Sequence, residues 1–479
     1  MTRSLARNAS GWHAGRMLLA PVVAASLAAG CEHITGVEEQ PPPAILSATV
    51  APDAGNALAA SFTARVQHAD SVAVQYRLTA AAAPGWQATP AVPVTGETAS
   101  IPVLGLLPQQ DYELRLVAYG AGATIEGQPR ALTTGSLPAD LPLYSASGSG
   151  PAPGFVVFGA GRYGLVIDNS GRVVWYHRFD DGVGLAFMAE PDGRYVTRPS
   201  TPAAGDVEPW LEIDPSGAVM RTLSCARGLQ TRPHDLLADP DGSYLILCDE
   251  TRTMDLSAVG GVANARVTGT VLQRIAADGS LLFEWNPFDH FAITDLAAAD
   301  RTGASVNWTH GNALDRDTDG NYIVSFRSLN EITKINAATG AVIWRLGGER
   351  NEFNFPGLAL PAFVHQHGLR VVGDGTILLL DNIGDRTATR AERYAIDPGQ
   401  HLARLVQSFA SLPPVVTEIG GSVQPIAGGH VLVSFGTAGR VEEYDADGRV
   451  VWHIDGNAGY VFRAQRITSL YTPGSGTAR

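Results

Sequence analysis

Asp319-Gly-Asn-Tyr-Ile-Val-Ser-Phe-Arg327, followed by Thr333-Lys-Ile-Asn-Ala-Ala-Thr-Gly-Ala-Val-Ile-Trp344, carries the pattern from which the fold is read. A turn of Asp-Gly type opens an apolar run. A second run follows, with a polar spacer and a glycine turn before its closing Trp. Alternation of period two across glycine turns makes antiparallel hairpins. The first half recurs at Asp192-Gly-Arg-Tyr-Val-Thr, Asp241-Gly-Ser-Tyr-Leu-Ile-Leu, Asp374-Gly-Thr-Ile-Leu-Leu-Leu and Gly428-Gly-His-Val-Leu-Val-Ser-Phe. The second recurs from Leu165 to Trp175, from Leu211 to Val219, from Leu272 to Trp285 and from Val441 to Trp452. Full units fall near 184–225, 232–286, 308–348, 365–410 and 420–455. Residues 155–180 give half a unit, and 459–471 give one more strand-like run. Four-stranded units of this period are those of a β-propeller. If the two ends share one blade the count is six. The predicted fold is therefore all-β, a six-bladed β-propeller over 154–473; a β-helix or two stacked sandwiches compete with it.

Working outward, residues 44–136 alternate in short runs separated by turn residues, the rhythm of a small immunoglobulin or fibronectin type III-like sandwich. The stretch from Leu104 to Arg115, through Pro108 and Tyr112, resembles the late-strand signature of fibronectin type III modules. Its expected job is to space or brace the next domain. Residues 137–153 read as a linker, and 31–43, ending in Pro41-Pro42-Pro43, as a tether. Residues 1–30 have the order of a signal peptide: Arg3, Arg7 and Arg16, then an apolar stretch from Met17. It ends in Leu-Ala-Ala-Gly before Cys31, which resembles a bacterial lipoprotein box. That resemblance implies cleavage before Cys31, lipid on it, and anchorage in the cell envelope. With Glu32 next, it implies the periplasmic face of the outer membrane where the cell has one. A plain cleaved signal, or a short N-terminal anchor with Cys31 incidental, is the alternative.

Composition narrows the partners. In 479 residues, Lys plus Arg number 34 and Asp plus Glu 47, a formal charge of −13 with no basic run, so nucleic acid is not an expected partner. Hydrophobic residues make up 45%, enough for a large core, and 53 Gly with 30 Pro suit many short strands. Three cysteines exclude a four-thiolate zinc site. With Cys31 acylated, Cys225 and Cys248 either pair or stay as buried thiols.

Histidines occupy one place in the repeat. His234 and His367 each lie seven residues before the Asp of an Asp-Gly turn (Asp241 and Asp374), and His310 lies nine before Asp319. They open three consecutive first strands, where side chains can converge. Leu185 fills that place in the preceding unit, so the repeat itself does not require histidine. Arg327 ends the second strand of the His310 unit and would add a guanidinium, making a local anion site in an acidic protein. His365, two residues before His367, can share its strand face. Three imidazoles could also hold a metal, though spacing alone does not call for one. There is no P-loop and no paired-carboxylate register.

Several stretches together resemble the bacterial arylsulfotransferases, in particular their shorter branch. They are Pro233-His234-Asp235, Asn307-Trp308-Thr309-His310-Gly311-Asn312 with Arg327, Leu346-Gly-Gly348, Gln366-His367 with Asp381-Asn382, and Thr389-Arg390-Ala391 before Tyr394. The resemblance implies transfer of a sulfuryl group from a phenolic sulfate donor to a phenolic acceptor, with no nucleotide donor and no cofactor. It implies His367 as the nucleophile, His234 and His310 as supporting histidines, and Arg327 as the charge-binding arginine, with protonated His234 or His310 helping to neutralise charge. Trp308, Phe326 and Phe363 are candidates for an aromatic slot or for plain core. Two other readings stay open: a non-catalytic propeller that binds a ligand or protein, and a metal-dependent hydrolase or lyase. The residues do not decide the oligomeric state.

Overall fold

A computed structural model of the chain describes residues 40–80, 85–199, 208–384 and 387–472. The signal segment, Cys31 and nearly all of the tether lie outside these residues. The described structure is largely all-β, its one α-helix being the four residues Pro287–His290. Among the described residues no helix is long and apolar enough to cross a membrane.

From residue 146 onward the strands form six antiparallel sheets. The first joins Phe155–Ala160, Tyr163–Ile167 and Val173–Arg178 to the late strand Ala464–Ile467. The second runs Phe187–Ala189, Tyr195–Thr197, Trp210–Ile213, Val219–Leu223. The third runs Gln230–Ala238, Tyr244–Met254, Ala265–Ile275, Leu281–Trp285. The fourth runs Gly311–Arg316, Tyr322–Phe326, Glu331–Ile335, Val342–Gly347, and the fifth His367–Val371, Thr376–Asp381, Arg390–Asp397, Leu402–Ala410. The sixth runs Ser422–Pro425, Val431–Ser434, Val441–Tyr444, Val450–Ile454. The repeat units counted in the sequence each fall on a separate sheet. One boundary needs correction: Ala146–Gly148, inside the expected linker, is an edge strand that pairs with Trp452, His453 and Ile454 of the sixth sheet.

The repeat residues have physical jobs. Asp192, Asp241, Asp319 and Asp374 each accept the backbone N–H two residues on. The glycine after each takes φ between +82° and +86°, a region that costs other residues. The closing tryptophans Trp175, Trp285 and Trp452 are buried. Trp175 Nε1 donates to Pro215 O of the second sheet, and Trp452 Nε1 to Asn169 O of the first, both at 2.9 Å.

The innermost strand of each sheet, the first in chain order except in the first sheet, where it is Ala464–Ile467, pairs on one side only, so its other edge carries free N–H groups. Side chains of a neighbouring sheet cap them. Ala189 N donates to Gln465 Oε1 (2.7 Å), Ala238 N to Glu190 Oε2 (3.1 Å), Leu314 N to Asp235 Oδ2 (3.1 Å) and Val371 N to Asp315 Oδ2 (2.9 Å). Arg466 N donates to Gln424 Oε1 at 2.5 Å. These bonds step from the first sheet through to the fifth and return from the sixth to the first. A cavity of about 50 Å³ is lined by these capping residues and draws on all six sheets. Asp235 is its most connected member. It is 0% exposed and faces Arg370 at 3.0 Å and Arg463 at 3.2 Å.

Residues 44–133 form two further sheets. Ala44–Pro52, Ala59–Gln67 and Thr98–Leu104 make one; Ser71–Leu78, Asp111–Gly120 and their short partners make the other. Both contribute to one apolar cluster that includes Phe62, Val66, Val74, Ile101, Leu114 and Leu116. Leu107 N donates to Tyr112 Oη at 2.8 Å, fixing the chain before the long central strand. Asn56 Nδ2 donates to Tyr176 O (3.0 Å), Ala57 N to Tyr176 Oη (2.8 Å) and Leu104 N to Tyr471 Oη (3.0 Å). This part thus braces the first of the six sheets and the C-terminal segment together.

Removing the Asp235 carboxylate leaves two guanidiniums buried and one edge N–H uncapped. Asp235→Ala is expected to cost about 3–5 kcal/mol of unfolding free energy, read by chemical denaturation. A loss under about 1 kcal/mol would show that the caps do not hold the sheets together.

Candidate active site

The ladder between first and second strands is broken in three of the six sheets, each time at a predicted histidine. The breaks fall between Thr231 and Leu236, Gly311 and Ala313, and His367 and Arg370. The corresponding pairs in the second and sixth sheets are regular, as are both ladders of Phe155–Ala160 in the first. The outermost pair of every sheet also carries a break, which belongs to the repeat. The inner breaks follow the histidines instead. A bulge turns a side chain away from its regular direction, and bulges gather at functional sites.

Neighbouring sheets bond the released backbone. Gly311 N donates to Thr270 Oγ1 (2.8 Å), and Gly311 O accepts from Arg232 Nε (2.7 Å). Gly368 follows His367 at φ +62°, and a Cβ there would lie 2.7 Å from Ser422 Cα, so glycine is required. His310, Asn330 and His365 all take φ between +47° and +56°, strained values for residues other than glycine.

These breaks bring the predicted residues together. The rings of His234 and His310 are 5.1 Å apart, edge to face. Phe462 stands against His234 (5.7 Å) and against His367 (6.1 Å). Arg327 N donates to His310 O at 3.0 Å. Arg327 Nη2 donates to His365 Nδ1 (3.2 Å) and to Glu418 O (3.1 Å). Among the described residues no carboxylate forms an ion pair with Arg327.

Hydrogen bonds assign His367 and His310 opposite tautomers. His367 is 2% exposed, and its Nδ1 faces two acceptors, Asn382 Oδ1 at 2.8 Å and His365 O at 2.9 Å. Nδ1 must therefore carry the proton, which leaves the lone pair on Nε2. Asn382 cannot turn over, because its Nδ2 already donates to Thr417 O and Gly420 O, both at 3.0 Å. His310 is the reverse. Its Nδ1 accepts from Asn307 Nδ2 at 2.7 Å, so its proton sits on Nε2. The strand Ser305–Asn307, parallel to Ala265–Ile275, delivers Asn307.

Burial lowers the pKa of all three rings, which favours their neutral forms near neutral pH. Burial pulls His367 down to about 4, with Arg327 adding to that and Asn382 opposing it. Burial, then Arg232 and Arg327, take His310 to about 2. Burial and Arg232 hold His234 well below the ordinary imidazole value. This direction disfavours the expected imidazolium form of His234 or His310. The ligand-free site offers neutral N–H donors and lone pairs, and Arg327 supplies the positive charge. Among the described residues, no group of three or more His, Cys, Asp or Glu side chains is disposed to hold a metal ion.

Three other expectations meet the structure here. Trp308, Phe326 and Phe363 are buried in apolar clusters with Phe291, Trp285, Phe355 and Tyr394, so they are core. The aromatic ring that touches the histidines is Phe462, which the sequence did not single out. Cys225 and Cys248 form a disulfide. Asn382 was legible only as part of a motif, and Asn307 likewise; their roles follow from the tautomers they impose.

Residues 229–457 match the family model for arylsulfotransferase (ASST). That span contains all four predicted site residues, and the match to the model of an enzyme family supports an enzymatic activity in general. No curated protein matches the chain. Among solved structures, a protein of unknown function from Bacteroides caccae is 12% identical, with a TM-score of 0.43 over 65% of this chain and 98% of its own. A catalytically inactive virginiamycin B lyase from Staphylococcus aureus with quinupristin is 12% identical, with a TM-score of 0.36 over 64% and 82%. A chain of a nidogen/laminin complex is 10% identical, with a TM-score of 0.40 over 66% and 99%. These likenesses carry no argument about function.

Ring NMR tests the tautomers. His367 should show an Nδ1–H neutral ring and His310 an Nε2–H neutral ring, both unchanged down to about pH 5. Asn382→Ala should weaken the Nδ1–H preference of His367, with His365 O left as an acceptor. A His367 ring titrating at its ordinary value of about 6.5 would overturn the assignment.

Proposed function

We propose that this protein is an aryl-sulfate sulfotransferase that moves a sulfuryl group from a phenolic sulfate to a phenolic acceptor through a sulfohistidine at His367. The observation that carries the reading is the Nδ1–H of His367 held by Asn382 and His365, which leaves Nε2 unprotonated in the field of Arg327, a cation with no ion pair among the described residues. In the first step the Nε2 lone pair forms the N–S bond. The S–O bond to the aryl group breaks, and the phenolate leaves with the electron pair. A phenol of pKa about 10 is a tolerable leaving group. Arg327 and the Nε2–H of His310 stabilise charge on the sulfonate and leaving oxygens. Positive charge grows on the His367 ring, and its Nδ1–H passes that charge to Asn382 Oδ1 and His365 O. In the second step His234, neutral, takes the acceptor phenol's proton. The acceptor oxygen attacks sulfur, the N–S bond breaks, and His234 releases the proton to solvent.

The six sheets with their capped inner edges support a six-bladed propeller in which 146–148 and 464–467 tie the chain ends to the ring. The two N-terminal sheets support a sandwich of immunoglobulin or fibronectin type III kind over 44–136. The sequence from Arg3 to Cys31 supports a lipoprotein held in the cell envelope, at the outer membrane's periplasmic face where there is one. The 5.1 Å approach of His234 to His310 favours catalysis over a purely binding propeller, since scattered imidazoles would serve no chemistry.

Treatment with p-nitrophenyl sulfate should release p-nitrophenol faster when a phenol acceptor is added. It should also add about 80 Da to the peptide that contains His367. His367→Ala should fold, lose turnover by about 1,000-fold or more and show no adduct. Because Nε2 gains a proton only as pH falls through about 4, kcat/KM should stay level from about pH 7 to 5 and drop below. An adduct elsewhere, or full turnover in His367→Ala, would sink the mechanism.

A further inference from the structure

We infer that His365 is a positioning residue that holds Arg327 and His367 in one frame, a role that rests on the sulfuryl-transfer reading. Five hydrogen bonds connect the site in a single path. His310 O accepts from Arg327 N (3.0 Å), and Arg327 O from Asn330 N (3.1 Å). Asn330 Oδ1 accepts from His365 N at 2.8 Å. His365 Nδ1 accepts from Arg327 Nη2 at 3.2 Å, and His365 O accepts from His367 Nδ1 at 2.9 Å. One residue thus bonds the cation through its side chain and the nucleophile through its carbonyl.

The choice of histidine has a physical reason. A carboxylate in this place would grip Arg327 more firmly, but it would cancel the charge a sulfonate needs. An imidazole Nδ1 lone pair aims the guanidinium without forming an ion pair with it. Glu418 contributes on the same terms, through its backbone carbonyl. The strain at Asn330 (φ +51°) and His365 (φ +56°) is the backbone cost of turning both residues toward Arg327. His365 neighbours the nucleophile without replacing it: its Nδ1 lone pair is engaged by Arg327, whereas the His367 Nε2 lone pair is free of any ring tautomer conflict.

The test separates aiming from bulk support. His365→Asn keeps an acceptor near the Nδ1 position and tolerates positive φ; His365→Ala removes the acceptor. With p-nitrophenyl sulfate, His365→Ala is expected to lower kcat/KM by about 10- to 100-fold, the scale of a hydrogen bond to a charged group. His365→Asn should recover most of that. In an Arg327→Ala background, His365→Ala should cost less than about 3-fold further, because its partner is already gone. The same four proteins are titrated with inorganic sulfate by thermal shift. Arg327→Ala and His365→Ala should each weaken sulfate binding, and the double variant no more than Arg327→Ala alone. Additive losses, an Asn variant as poor as Ala, or a sulfo adduct on His365 would overturn the role. A wild-type protein without turnover would remove the transfer reading, and the sulfate titration would still decide whether His365 sets Arg327 as an anion site.

Discussion

The structure depends on capping the inner edge of each sheet. A first strand bonded on one side only must find acceptors for its remaining N–H groups, since a buried unpaired amide costs about as much as a lost hydrogen bond. Here the acceptors are side chains: Gln465, Glu190, Asp235, Asp315 and Gln424, each reaching an N–H of a neighbouring sheet. Three of the five are acids, so Arg370 and Arg463 are drawn in to balance them. The charged cavity between the sheets is thus part of the scaffold, and its ion pairs are structural.

That scaffold is what permits the site. At His234, His310 and His367 the inner ladder is interrupted, and a strand so interrupted would ordinarily lose its place in the sheet. It keeps it because neighbouring sheets bond the released groups: Thr270 and Arg232 at Gly311, Gln366 O to Asn312 Nδ2 at 2.7 Å, and Gln366 Nε2 to Ser325, Phe326 and Glu331. Gln366 lies between the two adjacent histidines of the fifth sheet and is 0% exposed. The Gln-His pair that marks the motif in the sequence is a structural anchor joined to a reactive ring.

Much of this was legible in the sequence because it repeats. Asp-Gly turns, alternating apolar runs and closing tryptophans report local geometry, and each unit corrects the reading of the next. The histidine register was legible for the same reason, as a departure from a pattern that Leu185 otherwise fills. What escaped has no period. Phe462 reaches the histidines from the closing segment, some 95 residues from His367 in the chain. Ala146–Gly148 lies in a stretch rich in Pro, Ser and Gly and pairs only because the sixth sheet offers an edge. Trp308, Phe326 and Phe363 sit next to site residues in sequence, yet strand alternation turns them into the core. The protonation states were also hidden, because they depend on burial and on acceptors such as Thr417 O that only the folded chain brings near.

Those protonation states bear on how an acidic protein would present the proposed anion site. Its overall charge of −13 repels a sulfate at long range, so attraction has to be local. Charged imidazoles packed as closely as His234 and His310, 5.1 Å apart, would repel one another and Arg327, and burial would penalise each of them. Neutral rings avoid both costs. Each then offers one directed N–H or one lone pair, chosen by a neighbour: Asn382 for His367, Asn307 for His310, Arg327 for His365. Arg327, half-buried and held by neutral acceptors, adds its charge to that of the buried Arg232. The arrangement orders donors, lone pairs and charge before any ligand arrives, which is the condition under which electrostatic stabilisation of a transition state is largest.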